Sequence, residues 1–154
     1  MRPGGVAGGL AALLLIATAA PAATLVARLG DGRVLASVPM PEGEGWCILW
    51  RHSVQGFEVA DCYENRGGRM VLTQSHQPDF AAGLGHLPGR GRQVSDGQGG
   101  YRIEDMDEPV PGNAYALRPG GMGVDHRIGW AGGTVSLSAV AARQRVWLTL
   151  EPAR

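Results

Sequence analysis

The chain has 154 residues, with 14 basic and 14 acidic side chains, every basic one an Arg, and two cysteines. Balanced charge without a run of Arg excludes nucleic acid as a partner, since such binding draws on an excess of positive charge. Once an N-terminal leader is set aside, roughly 130 residues remain, enough for one domain with a real core and too few for two.

That leader reads MRPGGVAGGLAALLLIATAAPAAT: one Arg, an apolar run centred on Leu10 to Ala17, then small-residue cleavage candidates at Ala20-Pro21-Ala22. This is the form of a secretory signal peptide over residues 1–22. The alternative is an uncleaved anchor, because Val6 to Ala23 carries no charge and approaches the roughly 20 apolar residues that span a bilayer. Its Gly, Ala and Pro content makes it weakly hydrophobic and favours cleavage. A periplasmic or secreted location follows, with membrane contact only if the leader stays.

From residue 24 to 152 the pattern has period 2 and predicts one β-rich domain. TLVARLGDGRVLASVP is two alternating runs around Asp31-Gly32, a two-residue hairpin signal. WCILWRH and FEVADCYE follow, separated by SVQG, and RMVLTQS comes after the turn NRGG. Residues 76–100 break the pattern, since Gly83, Gly85, Gly89, Gly91, Gly97, Gly99 and Gly100 leave no room for a helix or long strand. A loop of this length in a compact domain is functional or disordered. YRIED and AYALR resume strands, DHRIGW and TVSLS flank a Gly-rich turn, AVAA suits one helical turn, and RVWLTLE closes the chain with Val146, Leu148 and Leu150 on one face. About nine or ten short antiparallel strands predict an all-β fold, a small sandwich or a barrel.

Two cysteines in an exported chain predict a disulfide, and Cys47 and Cys62, 15 apart with no third, do not suit a thiolate metal site. A turn at Val54-Gln55 places His52 opposite Phe57, Trp50 opposite Val59 and Cys47 opposite Cys62, so the cysteines meet across a hairpin. A two-residue turn also puts them at a hydrogen-bonded position, where side chains lie farther apart, a conflict that a longer turn or a bulge removes.

His52 and Ser53 are neighbours, and on a strand neighbouring side chains point to opposite faces, so they cannot pair as base and nucleophile unless the backbone turns between them. Ser53 also lacks a Gly-x-Ser-x-Gly turn. The histidines His52, His76, His86 and His126, with Asp61, Asp79 and Asp125, supply donors but match no metal-binding spacing. The 76–91 segment has no phosphate-binding signature, so no cofactor is expected, although its backbone and Arg90 or Arg92 could meet a small carboxylate. Trp46 and Trp50 share a strand face and read as core.

HSV at a strand end, an acidic residue in the next strand, DFAAGLGH and a late DHRI together resemble the domain of unknown function 1850 over about residues 33–151. The resemblance implies a small exported bacterial protein encoded beside tripartite ATP-independent periplasmic (TRAP) transporters of the TAXI type, whose permease or solute-binding protein would be the partner. The pattern holds at His52, Ser53, Asp61, Gly83 and His126, and departs at Gln55, where family members commonly carry an acid.

The expected site therefore combines the His52-Ser53 hairpin tip, Asp61, the loop with Asp79 and Gly83, and His126. The expected function is non-catalytic, a periplasmic accessory or binding protein of a transporter. A metal-dependent or hydrolytic enzyme using His52, Asp61 and His126 is the alternative, and a purely structural secreted domain is the third reading.

Overall fold

The computed structural model describes residues 23–54, 56–77, 89–97 and 99–152. The predicted leader, Asp79 and Gly83 lie outside the described residues. So do residues 78–88 and 98 of the Gly-rich segment.

Twelve strands are described, all paired antiparallel: β1 (Ala23–Leu29), β2 (Val34–Met40), β3 (Gly45–Arg51), β4 (Glu58–Arg66), β5 (Arg69–Gln77), β6 (Arg92–Ser95), β7 (Tyr101–Glu104), β8 (Glu108–Pro109), β9 (Ala114–Leu117), β10 (Arg127–Trp130), β11 (Gly133–Ser136) and β12 (Val146–Pro152). One short helix, α1 (Leu137–Ala141), precedes β12. A four-stranded sheet has the order β2-β1-β12-β9 and an eight-stranded sheet the order β11-β10-β3-β4-β5-β7-β6, with β8 beside β5. Among the described residues the sheets do not close on each other, so the arrangement is sandwich-like rather than a barrel. The strands exceed the expected nine or ten because β6 lies within the Gly-rich segment read as loop and β8, of two residues, is too short to show in a period-2 pattern.

Alternation along the strands builds the core. Leu25, Ala27 and Leu29 of β1 and Val146, Leu148 and Leu150 of β12 are buried in one cluster with Trp46 and Ile48 of β3 and Ile128 of β10. Trp147, between two of these positions, is 42% exposed, as a side chain on the opposite face must be. A second, smaller cluster of Tyr101, Ile103 and Met106 lies toward the β7 end of the large sheet.

Two turns differ from the sequence reading in an instructive way. The β1–β2 connection has three residues rather than two: Leu29 N–H donates to Arg33 O at 2.9 Å and Gly32, at φ 91°, supplies the left-handed residue of a bulged turn. In the β3–β4 hairpin the partners are as expected, Cys47 with Cys62 and Trp50 with Val59. The closing bond, however, runs from His52 N–H to Phe57 O at 2.8 Å, and Gly56 N–H donates to His52 O. That longer turn shifts the hydrogen-bonding phase by one pair, so Cys47 and Cys62 occupy a narrow, non-hydrogen-bonded position with Cα atoms 4.0 Å apart. Their disulfide is formed.

Asn65 ties the other end of β4 in place. Its side chain is 0% exposed. It donates to Met40 O at 2.7 Å and accepts from Gly68 N–H at 2.9 Å, joining the end of β2 to the β4–β5 turn. In that turn Gly67 and Gly68 have φ 62° and 75°, the pair of positive angles that a two-residue hairpin requires.

Candidate functional site

Val59, Asp61 and Tyr63 alternate along β4 onto one face, opposite Trp50, Ile48 and Trp46 of β3. That face meets the small sheet, because Trp46, Ile48 and Tyr63 belong to the core cluster. A bulge then alters the β4–β5 register: Tyr63 opposes Leu72 while Cys62 opposes Gln74, so Thr73 is the extra residue, and its hydroxyl donates to Cys62 O at 3.1 Å. Its consequence is that Ser75, not Gln74, stands opposite Asp61. Ser75 Oγ donates to Asp61 Oδ1 at 2.6 Å and accepts from Gln77 Nε2 at 2.7 Å.

Asp61 lines two cavities. The larger, about 230 Å³, lies between the sheets. Ile48, Trp50 and Tyr63 of the large sheet form one wall, Tyr115 and Leu117 of β9 the other, and His126, just before β10, completes it. The smaller, about 140 Å³, is bounded by Ser75, Gln77, Arg90 and the apolar residues Leu72, Ile103 and Met106. The carboxylate thus stands between the two hydrophobic clusters.

The aromatic walls are ordered by stacking. Tyr63 lies between Trp46 and Tyr115, with ring centroids 5.6 and 5.1 Å away, and Trp50 stacks on His126 at 5.7 Å. His126 Nδ1 accepts from Gly120 N–H at 3.2 Å, which leaves the proton of a neutral imidazole on Nε2. Ser138 Oγ and the start of α1 hold the His126 backbone, and Ser136, the α1 N-cap, donates to Asp125 at 2.7 Å.

Burial governs the electrostatics. It raises the Asp61 carboxyl above its ordinary range, against the opposing pull of the Ser75 hydrogen bond and of Arg90. It pushes the Tyr63 hydroxyl up to about 12, with Asp61 adding to the effect, and the Tyr115 hydroxyl well above 10. It lowers His126, with Asp125 opposing, so the imidazole favours its neutral form. Although the Tyr115 ring is partly exposed at the sheet edge, its hydroxyl oxygen is buried, and so is Trp46 Nε1; neither makes a hydrogen bond of ordinary length, and the polar neighbours of the hydroxyl are that nitrogen and the Tyr63 hydroxyl.

Of the residues expected from sequence, Asp61 and His126 share the inter-sheet cavity. His52 does not line it: its ring stacks on Phe57 at 5.7 Å and its Nδ1 faces Val54 N–H at 3.4 Å. Ser53 is exposed in the turn. His76 pairs with Asp96 at 3.0 Å. Among the described residues no three His, Cys, Asp or Glu side chains gather as a metal site would need. A broader depression of about 500 Å³ over the disulfide is lined by residues such as Leu49, Gly129 and Thr134 and, among the described residues, by no charged side chain.

A family model described as domain of unknown function (DUF1850) matches residues 47–137. The chain belongs to the DUF1850 family. No curated protein and no solved structure matches it. The match is narrower than the resemblance read from sequence, yet every residue lining the two Asp61 cavities lies within it. The strands β1, β2 and β12, which lie outside the match, supply much of the opposing core.

Several residues of this DUF1850 site were not visible as such in the sequence. Tyr63 had a signal, since it is two residues beyond Asp61 on the same strand and must share its face. Trp50 was readable only as core. Ser75 was hidden by the bulge, and Tyr115 by the packing of one sheet on another, which leaves no local trace. Among the described residues no helix is long and apolar enough to cross a membrane.

Proposed function

We propose that this DUF1850 chain is an exported, non-catalytic binding domain that serves a TRAP-type transporter of the TAXI class, beside its permease or solute-binding protein. The observation that carries the reading is Asp61, a largely buried carboxylate that lines an aromatic-walled cavity between two sheets and has no ion-pair partner among the described residues. A group so placed costs stability and is found where a ligand is received. The disulfide supports export, because such bonds persist in oxidising compartments. Ser75, the hydroxyl beside Asp61, accepts from Gln77 and donates to the carboxylate, so its bonding is structural and no histidine takes its proton.

Deletion of the gene is expected to reduce solute uptake by the transporter encoded beside it, with recovery on re-expression of the wild-type chain. Affinity purification of the tagged protein is expected to retain the permease or the solute-binding protein. Unchanged uptake together with absence of both partners would overturn the reading.

A further inference from the structure

The charge of the cavity defines what it can hold. Asp61 accepts one hydrogen bond, from Ser75 to Oδ1, and its second oxygen has no partner among the described residues. Arg90, the cation whose field reaches Asp61, is held by Glu108 through both Nε and Nη2, the latter at 2.8 Å. It lines the smaller cavity and not the larger. Among the described residues the inter-sheet cavity therefore carries one carboxylate, no Arg side chain, and apolar walls of Trp50, Ile48 and Leu117 that lower its polarity. Attraction between opposite charges strengthens in such surroundings.

The Tyr115 hydroxyl is an independent pointer. It lines the same cavity, and its buried oxygen makes no hydrogen bond of ordinary length, its polar neighbours being the Tyr63 hydroxyl and Trp46 Nε1. A buried hydroxyl left unpaired costs free energy that a ligand N–H can recover. At about 230 Å³ the space is smaller than a drug-sized pocket, so the ligand is small.

We infer that the inter-sheet cavity takes a small organic cation, a primary alkylammonium, with one N–H on Asp61 Oδ2, another on the Tyr115 hydroxyl, and its alkyl body against Trp50 and Leu117. This rests on the binding reading above and names the ligand class for that site. An anion would meet Asp61 unscreened, and a neutral molecule would leave the carboxylate as costly as before.

The test is calorimetric titration and thermal shift on the chain purified from an exporting host, with propylammonium, ethanolammonium and choline chlorides, against sodium acetate, sodium glutarate and matched sodium chloride. Propylammonium or ethanolammonium is expected to bind saturably and raise Tm. Asp61→Asn is expected to weaken that binding by roughly 30-fold or more, the loss that follows when one partner of a buried charge pair is removed. Tyr115→Phe is expected to weaken the primary ammonium ions and leave choline, which has no N–H, unchanged. Binding of the carboxylates alone, or ammonium binding indifferent to Asp61→Asn in a folded variant, would overturn the cation assignment and leave the binding reading standing. Binding of no probe overturns the assignment too, and the binding reading falls with it only if uptake also survives deletion of the gene.

Discussion

Ser75 Oγ donates a 2.6 Å hydrogen bond to Asp61 Oδ1 across the β4–β5 pair, and it is the only hydrogen bond that carboxylate receives among the described residues. One neutral donor does not replace the hydration a buried charge gives up. Burial is accordingly the largest influence on Asp61 and raises its pKa. A raised folded-state value means that the ionised form disfavours folding. Stability is fully present below the unfolded carboxyl value and is lost as pH rises through the folded one.

Asp61→Asn keeps an oxygen for Ser75 and removes the charge. At neutral pH it is expected to raise Tm by roughly 3–5 °C, the shift that about 1 kcal/mol produces in a domain of this size. The gain should vanish as pH falls below the unfolded carboxyl value of about 3.9, where wild-type Asp61 is itself protonated. Thermal melts of both proteins across that range check it, and a variant less stable than wild type at neutral pH would contradict it.

The disulfide closes a loop of 15 residues. In the chain-entropy model such a loop contributes about 3 kcal/mol, mainly by restricting the unfolded chain. Cys47→Ala with Cys62→Ala is therefore expected to lower stability by about that amount in urea unfolding. The hairpin register should survive, because it is also held by Trp50 with Val59 and by the Trp46–Tyr63 stack. Reduced wild-type protein should match the variant.

Asn65 is the buried polar residue whose loss should be felt most widely. Asn65→Ala would leave Met40 O and Gly68 N–H without their partners, at the junction of β2 and the β4–β5 turn. A cost of about 1–3 kcal/mol is expected, chiefly from the buried Met40 carbonyl, since Gly68 is only part-buried. Arg66→Ala, which removes part-exposed ion pairs to Glu64 on the same strand and to Asp107 just before β8, is expected to cost under about 1 kcal/mol. Denaturant midpoints for the two variants make the comparison.

His126 gives an opposite pH dependence from Asp61. Burial lowers its pKa, so the neutral imidazole favours folding. That stability is present above the unfolded histidine value of about 6.5 and is lost as pH falls through the folded one. His126→Gln retains an acceptor for Gly120 N–H and does not titrate. The decline of Tm on acidification from neutral pH should be shallower in the variant than in wild type. His52, His76 and the carboxylates are present in both proteins, so the difference in slope isolates His126.

Local rules carried the sequence reading far along the hairpins and stopped where strands meet across space. The pairing of Cys47 with Cys62 was legible because a turn after His52 dictates every partner on β3 and β4, whichever way its hydrogen bonds are phased. The same rule applied to the Gly67-Gly68 turn would place Gln74 opposite Asp61. One extra residue at Thr73 puts Ser75 there instead. A single-residue bulge leaves no mark in an alternating pattern, yet it exchanges the partner of the central carboxylate.

The sequence by itself determined the β class, most strand positions, the disulfide and the family, since each depends on residues close in the chain or on their order. Only the tertiary structure decided that the sheets form a sandwich, that His126 joins Asp61 while His52 turns to Phe57, and that Tyr115 lines the same cavity as the carboxylate. These depend on how β9 packs across the large sheet. Packing is settled by the burial of whole faces, a property that no single strand's sequence contains.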